Sequence, residues 1–385
     1  MTNLDAVRLT APGLYTAAGP DPAALWEALV AGKDTSRPSG LPASPWPEAV
    51  SAFLVDDPDA ATLGVHRRVL RTSEKQARMA LYGARLSLGG HTGPVGGERW
   101  GLYLGLPTVD EELLRFTALD GLRRAAGSPD AVAALYAREV PPFSGLSHLN
   151  STAAAHVSAV FGLTGAMAAY SPFSDAGLQA LIDGVLSVVE DENEAAVIGA
   201  VSPKVHPLLL PQYEELGWDG AAPGEGAAFL LAARTADVPA AAVRLAGYGR
   251  AFGADGAGRT EAIAEAVRAA LRMAGTDAGG IGWVLPDAVW TPDGRRAQRA
   301  ALDAVFAGAA ERPAEFTSAA VTGVLGPAHP LAHVLLALHG LAGGRRLVAD
   351  GAAVREEDLG IPRVLALACG VRGQVCAVVL EGGDR

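Results

Sequence analysis

AAYSPFSDAGLQALIDG, residues 168–184, predicts a short strand that runs through a tight turn into a helix. In its second half, the apolar residues recur at three- and four-residue spacing, which is the pattern of a helix with one buried face. Ser174 lies at the corner between the two elements. A strand that leads into a helix is typical of a layered α/β protein.

The same alternation of short apolar runs with longer helical patterns extends along the chain. Strands are predicted at RWGLYLGL (99–106), AAVIGAV (195–201), GAAFLLAA (226–233), IGWVLPDA (281–288) and CAVVLEGG (376–383). Helices are predicted at PAALWEALVAGK (22–33), SEKQARMALYGARLSLGG (73–90), DAGLQALIDGVLSVVED (175–191), GRTEAIAEAVRAALRMAG (258–275) and HPLAHVLLALHGL (329–341). The order predicts mixed sheets covered by helices. A change of composition at ADVPAAAV (236–243) suggests two halves, residues 1–238 and 239–385.

Composition indicates a folded protein and excludes several classes of partner. The chain has 385 residues, of which 50% are hydrophobic and 19% charged, and its formal net charge is -11. Because the arginines are scattered over an acidic chain, nucleic acid is not an expected partner. No export signal or membrane span is recognised, and Cys369 and Cys376 lie in apolar surroundings typical of free core thiols. We therefore expect a cytoplasmic protein without disulfides.

Ser174 is the first candidate for chemistry. At the start of a helix, backbone N–H groups and the helix dipole can stabilise an oxyanion or a nucleophile. The alternative is that Ser174 or Asp175 only caps the helix, which contributes about 1 kcal/mol. No G-x-S-x-G motif surrounds the serine, and the local sequence offers no base.

The histidines and glycine clusters give weaker signals. His329 and His333 are four residues apart, but the glutamate of a metalloprotease motif is missing, and His206 follows a predicted strand and turn. The clusters GAAPGEGAA (220–228) and GYGRAFGADGAGR (247–259) lack a Walker lysine and the order of a dinucleotide site, and are predicted to be turns. We expect neither a cofactor nor a metal.

The order of motifs resembles the β-ketoacyl synthases over nearly the whole chain. The resemblance is carried by GLYTAAGPDPAALWEALVAGKDTSRPS (13–39), RWGLYLGL, LNSTAAAHVSAVFGLTGAMAAYSPFSDAGLQAL (149–181), PGEGAAFLLAAR (223–234) and ALACGVRGQVCAVVLE (366–381). Matching on Ser171 and on residues 177–180 places Ser174 at the position of the catalytic cysteine. The resemblance implies a thiolase-like fold, with two related α/β halves in αβαβα layers, and a dimer with a large interface.

The chain departs from that family at each of the three positions that the family uses for condensation. Ser174 replaces the cysteine that carries the acyl chain. The first histidine corresponds to Asp287 or Ala288, depending on the alignment, and the second to Val324, while the preceding lysine falls near Ala319. A carboxylate or a methyl group cannot donate a hydrogen bond to an oxyanion at neutral pH. We therefore expect no condensing activity.

This pattern resembles the chain-length factor of type II polyketide synthases, an inactive relative of the ketosynthase. WVLPDAVWTPDGRRAQRAALDAVFAG (283–308) and VTGVLGPAHPLAHVLLAL (321–338) are similar to its segments, although Ser174 stands where that subfamily usually has glutamine. The resemblance implies a heterodimer with a ketosynthase in antibiotic-type polyketide biosynthesis, and an acyl carrier protein that is expected to dock mainly on the active partner. The helix predicted at 109–122 would line the shared tunnel, with Leu113, Phe116 and Thr117 as wall candidates and core packing as the alternative.

Two other functions stay open. In the first, Ser174 is the nucleophile of an acyltransferase or thioesterase that acts on acyl carrier protein or coenzyme A thioesters. That chemistry requires a base within hydrogen-bond reach of the hydroxyl, and His206 and His329 are the candidates. In the second, the chain only stabilises its ketosynthase partner.

Overall fold

The computed structural model describes residues 3–39, 51–90, 94–95, 97–108, 116–139, 149–206, 209–237, 243–351 and 353–383. Its strands are β1 (Val7–Thr16), β2 (Arg37–Pro38), β3 (Ser51–Ala52), β4 (Trp100–Gly105), β5 (Met167–Tyr170), β6 (Ala195–Val201), β7 (Gly226–Arg234), β8 (Arg244–Phe252), β9 (Trp283–Leu285), β10 (Ala314–Glu315), β11 (Arg345–Asp350), β12 (Ala353–Asp358), β13 (Arg363–Cys369) and β14 (Gln374–Glu381).

The helices lie between these strands. They are α1 (Pro22–Val30), α2 (Ala60–Leu63), α3 (Arg67–Leu70), α4 (Lys75–Ser87), α5 (Phe116–Ala125), α6 (Pro129–Glu139), α7 (Asn150–Phe161), α8 (Asp175–Val189), α9 (Leu209–Glu215), α10 (Gly256–Met273), α11 (Pro292–Phe306), α12 (Ala319–Thr322) and α13 (Ala328–Gly343). None of the helices in the described ranges has the length and hydrophobicity that a membrane span requires.

Two mixed sheets of five strands, counted over the described residues, have the same pattern of pairing. The first has the order β1-β7-β6-β4-β5 and the second the order β8-β14-β13-β9-β10. In each sheet the first two pairings are antiparallel and the last two are parallel. The first sheet uses strands up to Arg234 and the second uses strands from Arg244 onward. The sheets therefore repeat one architecture along the chain.

Five layers follow from the packing of the helices. The central apolar core contains α8, α13 and residues from both sheets, so these two helices lie between the sheets. A second core packs α10 and α11 on the outer face of the second sheet, and a third packs α4 and α7 on the outer face of the first. The chain therefore has the αβαβα layers of a thiolase-like α/β fold, as the resemblance to the β-ketoacyl synthases implies.

The five predicted strands and the five predicted helices are confirmed, with ends that shift by a few residues. The prediction of a turn at 247–259 is wrong in its first part, because Gly247 and Gly249 belong to β8. A Cβ on Gly249 would lie 2.0 Å from the carbonyl oxygen of Ala266, so glycine here allows α10 to pack on the strand. The proposed boundary at residue 238 lies outside the described residues.

Candidate functional site

The corner at Ser174 is positioned by the first turn of α8. This helix begins at Asp175 and buries its apolar face in the central core. A Cβ on Gly177 would lie 2.2 Å from the carbonyl oxygen of Pro327, so glycine lets the start of α8 approach the start of α13. The corner therefore lies where the two halves of the fold meet.

Ser174 is the N-cap residue of α8, but its side chain makes no capping hydrogen bond, which corrects the capping interpretation for Ser174. Within the described residues its side chain accepts no hydrogen bond from the first turn of α8. Its Oγ instead donates to Oδ2 of Asp287, at 2.6 Å. Ser174 and Asp287 are 113 residues apart in sequence, and the fold brings them into direct contact.

Asp287 follows β9, and hydrogen bonds to both its side chain and its backbone fix its position. The backbone N–H of Cys369 donates to the same Oδ2, at 2.7 Å. The amide of Gln298 accepts from the backbone N–H of Asp287 and donates to its carbonyl oxygen, both at 3.1 Å. These contacts fix the carboxyl group opposite Ser174.

Burial changes the protonation of this carboxyl group. The side chain of Asp287 is shielded from solvent, and burial raises its pKa to about 7, with a smaller contribution from the negative charge of Asp175. Burial also raises the pKa of Asp175 to about 6. At neutral pH a substantial fraction of Asp287 is protonated. Oδ2 accepts the hydrogen bonds from Ser174 and from Cys369, and the protonated form of the carboxyl group can also donate one.

A cavity of about 280 Å³ opens beside this pair. Ser174, Asp287 and Val324, the three positions that the sequence analysis singled out, all line it. Most of the remaining wall is apolar or aromatic, and includes Phe173, Leu209, Tyr213, Leu216, Val289, Trp290, Pro327 and Val371. Polar side chains on the wall are Thr108, Gln212, Glu215 and Arg372.

His329 and His333 are not the partners of Ser174. His329 and His333 are fully buried on α13, with their rings 4.4 Å apart, and neither is among the described residues that line the cavity. Burial lowers the pKa of His329 to about 4 and also lowers that of His333, whose Nε2 accepts from the backbone N–H of Ser318. His206 does not belong to the described lining either. The group that accepts the hydrogen bond of the Ser174 hydroxyl is the carboxyl group of Asp287 and not a ring of His329 or His333.

The candidates for the tunnel wall are only partly described. Leu113 lies outside the described residues, and Phe116 and Thr117 form the first turn of α5. Their role in a tunnel stays a prediction.

Gln298 and Cys369 are site residues that sequence reasoning missed. Gln298 is a buried amide on α11, among apolar residues, and a polar residue on the apolar face of a helix was the available signal. Cys369 lines the cavity, and burial raises the pKa of its thiol above the usual range. Because the thiol stays protonated, Cys369 does not replace the missing nucleophile.

Known proteins place this geometry in a family. The ishigamide ketosynthase/chain length factor matches with a TM-score of 0.79 and 17% sequence identity, over 98% of this chain and 99% of that chain. A ketosynthase from module 6 of the bacillaene synthase of Bacillus subtilis 168 gives a TM-score of 0.76 and 16% identity, over 99% of this chain and 72% of that chain. The oxazolomycin ketosynthase domain of Streptomyces albus JA3453 gives a TM-score of 0.77 and 18% sequence identity, over 99% of this chain and 75% of that chain.

At 16–18% sequence identity, these three matches show that the chain has the same fold as the solved structures. No curated protein matches the chain in sequence. Residues 5–237 match the model of the β-ketoacyl synthase N-terminal domain, which is more than half of the chain. The chain therefore belongs to the β-ketoacyl synthase family.

Proposed function

We propose that the chain is the non-condensing subunit of a type II polyketide ketosynthase, a chain-length factor that shapes the acyl tunnel of an active partner and sets the length of its product. The hydrogen bond from Ser174 to Asp287 carries the proposal. Condensation requires a thiolate and groups that stabilise the enolate formed by decarboxylation of a malonyl unit. Here a hydroxyl group faces a carboxyl group, and Val324 supplies no polar atom to the cavity.

The electrostatics of the cavity also disfavour condensation. Asp287 and Asp175 both carry carboxyl groups near the corner, and Asp287 is buried. The described lining of the cavity holds the carboxyl groups of Asp287 and Glu215 and the guanidinium of Arg372, so with Asp287 ionised its net charge is negative and disfavours the carboxylate of a malonyl group. The residues of this cavity can still form part of the wall of a tunnel shared with a partner subunit. The shape of such a wall depends on how its side chains pack and does not require a catalytic nucleophile.

The edge of the first sheet supports a partner subunit. β5 is the last strand of that sheet and pairs only with β4 in the described part of the chain. Met167 at its start is 47% exposed. An open edge strand with an exposed apolar side chain is a surface that another chain can cover. We propose that a ketosynthase subunit covers it.

A local basic cluster supports an acyl carrier protein as the second partner. Arg67, Arg68 and Arg71, on α3 and at its end, are exposed and form no ion pair with a described residue. Carrier proteins are generally acidic, and opposite charge steers the encounter of two proteins. The ketosynthase partner is expected to provide most of the surface on which the carrier protein docks. We propose that these three arginines of this chain contribute to the same docking.

The test is affinity purification of the tagged chain from the organism that encodes it, followed by native mass spectrometry. The expected result is a one-to-one complex with a ketosynthase that has kept its cysteine. Recovery of this chain only as a monomer or a homodimer would contradict the proposal. A cysteine-to-alanine variant of the partner, purified in the same way, is the control: it should keep the complex and lose all condensing activity.

A further inference from the structure

Ser174 and Asp287 form a hydrogen-bonded pair whose chemistry a non-condensing role does not use. We propose that the Ser174 hydroxyl accepts an acyl group from a thioester, with Asp287 as the general base, and holds it as an ester in the cavity beside them. The ligand is a short, uncharged acyl group carried on coenzyme A or on the phosphopantetheine of an acyl carrier protein.

The hydroxyl is oriented for proton transfer. Ser174 Oγ donates to Asp287 Oδ2 at 2.6 Å, so the proton to be removed already points at the carboxyl oxygen. The serine is also the residue before α8, a helix of 15 residues. The positive end of the helix dipole therefore lies beside the Ser174 hydroxyl, where it favours negative charge that develops next to the nucleophile during attack.

The base is fixed and can exist in both protonation states. The N–H of Cys369 holds the same Oδ2, and the Gln298 amide holds the Asp287 backbone on both sides. Burial places the pKa of Asp287 at about 7. A carboxyl group that titrates near neutral pH can take the serine proton and return it to a leaving thiol.

The cavity selects the acyl group. Its volume of about 280 Å³ lies just below the usual range of ligand pockets, which suits a short chain. The aromatic side chains of Phe173, Tyr213 and Trp290 line it and give the acyl group an apolar surface to pack against. Two carboxyl groups, those of Asp287 and Glu215, line the cavity together with one cation, Arg372, so the described lining is net negative when Asp287 is ionised and disfavours malonyl and other carboxylated acyl groups.

The step balances without a further reactant. Ser174 Oγ attacks the thioester carbonyl carbon while its proton moves to Asp287 Oδ2. The carbon–sulfur bond breaks, the thiolate takes the proton from Asp287, and the products are an acyl ester on Ser174 and a free thiol. Asp287 ends the step as it began, ionised.

The experiment incubates the purified full chain with acetyl-coenzyme A, butyryl-coenzyme A and malonyl-coenzyme A, and in parallel with the same acyl groups on a phosphopantetheinylated carrier protein. Intact mass and peptide mapping locate the ester, and thiol release gives the rate. We expect acylation at Ser174 by acetyl or butyryl groups and not by malonyl. The donor that reacts faster distinguishes coenzyme A from the carrier protein. Release of free thiol in repeated turnovers would mean that the ester is hydrolysed, which also supports the nucleophile.

Three variants keep the result interpretable. Ser174→Ala should abolish labelling, whereas Ser171→Ala, which removes an exposed serine on the same turn, should not change it. Asp287→Asn should lower the acylation rate at least about 100-fold while circular dichroism shows an intact fold. The wild-type rate should rise as the pH increases through about 7, where Asp287 ionises.

A fluorophosphonate reagent makes the test independent of the acyl group chosen. An activated serine reacts with it whatever the natural substrate. Modification of Ser174 in the folded wild-type chain and not in Asp287→Asn supports the proposal. A folded chain in which neither thioesters nor the fluorophosphonate modify Ser174 overturns it. Formation of the ketosynthase complex is measured separately, so the proposed partner role does not depend on this result.

Discussion

Gln298 holds the backbone of Asp287 from both sides with a single side-chain amide. Its Oε1 accepts from the Asp287 N–H and its Nε2 donates to the Asp287 carbonyl oxygen, each at 3.1 Å. The thiol of Cys369 contacts the same Oε1 at 3.4 Å. Because both backbone groups are buried and follow the end of a strand, they have lost the water that would otherwise satisfy them. The amide therefore fixes the position of the Asp287 carboxyl group.

Replacing Gln298 tests this arrangement. Gln298→Ala leaves a buried N–H and a buried carbonyl oxygen without their partner, so we expect the free energy of unfolding to fall by about 3 kcal/mol. Urea denaturation of the isolated chain measures it. Arg296→Ala, on the exposed side of the same helix, is the control and should change the stability by less than about 0.5 kcal/mol. Equal effects of the two variants would contradict the role of the amide.

Asp287 makes stability fall as the pH rises. Its pKa in the folded chain is about 7, above the ordinary value of 3.8, so the folded state binds a proton that the unfolded state has lost. The stabilisation is fully present below pH 3.8 and is lost as the pH rises through about 7. Between pH 5 and pH 8 this amounts to about 3 kcal/mol.

The measurement compares the wild-type chain with Asp287→Asn at both pH values by urea denaturation. We expect the difference in stability between the two proteins to shift by about 3 kcal/mol in favour of the variant at the higher pH. The histidines are common to both proteins and cancel in the comparison. A difference that does not change with pH would mean that Asp287 is already ionised in the folded chain at pH 5.

His329 acts in the opposite direction. Burial lowers the pKa of His329 to about 4, from an ordinary value of 6.5. Between these two pH values the unfolded chain binds a proton at this residue and the folded chain does not. The stabilisation is present above pH 6.5 and is lost as the pH falls through about 4. His329→Phe keeps an aromatic ring and cannot titrate, so relative to the wild type it should gain about 2 kcal/mol between pH 8 and pH 5. Urea denaturation of both proteins at pH 8 and pH 5 measures the difference, and an unchanged difference between the two pH values would contradict the lowered pKa.

The sequence identified the positions of the site more reliably than their interactions. Ser174, Asp287 and Val324 were found from the order of motifs, and the fold brings all three to one cavity. The hydrogen bond between Ser174 and Asp287 was not predicted, since the bases considered for the serine were histidines. Alignment places residues on a fold, but which side chains meet across 113 positions depends on how the halves pack.

The protonation of the site depends on burial, which is a property of the folded chain. An aspartate in a sequence is expected to be ionised, and the conclusion that it cannot donate a hydrogen bond rested on that expectation. Its pKa of about 7 arises from desolvation in the fold. The glycines of β8 also could not be interpreted from the sequence alone. Gly247 and Gly249 were predicted to lie in a turn, but they are strand residues whose small size allows α10 to pack on the sheet.

Gly177 controls the approach of the two halves at the corner. In Gly177→Ala the new methyl group would lie 2.2 Å from the carbonyl oxygen of Pro327, so α8 or α13 must shift. Overpacking of this kind costs about 1–3 kcal/mol, and the shift should weaken the contact between Ser174 and Asp287. Thermal and urea unfolding measure the first effect and fluorophosphonate labelling the second. Gly308→Ala, where a Cβ meets no atom within 4 Å, is the control and should behave like the wild type.

Phe116 tests the chain-length role in the assembled complex. If its side chain closes the tunnel of the active partner, Phe116→Ala removes that bulk, and the ketosynthase should add at least one further extension unit before release. Product mass from a reconstituted complex with carrier protein and malonyl donor measures the length. Tyr136→Ala, which removes a 49% exposed aromatic ring from α6, should leave the product unchanged.

The result separates two kinds of partner subunit. A longer product, with the complex still intact by native mass spectrometry, means that this chain contributes to the wall that stops elongation. An unchanged product from a stable complex would remove Phe116 from the wall, and the same outcome for Leu113→Ala and Thr117→Ala would leave a partner that only stabilises its ketosynthase. A large side chain near the end of a tunnel limits length by exclusion, so the effect should grow with the volume removed.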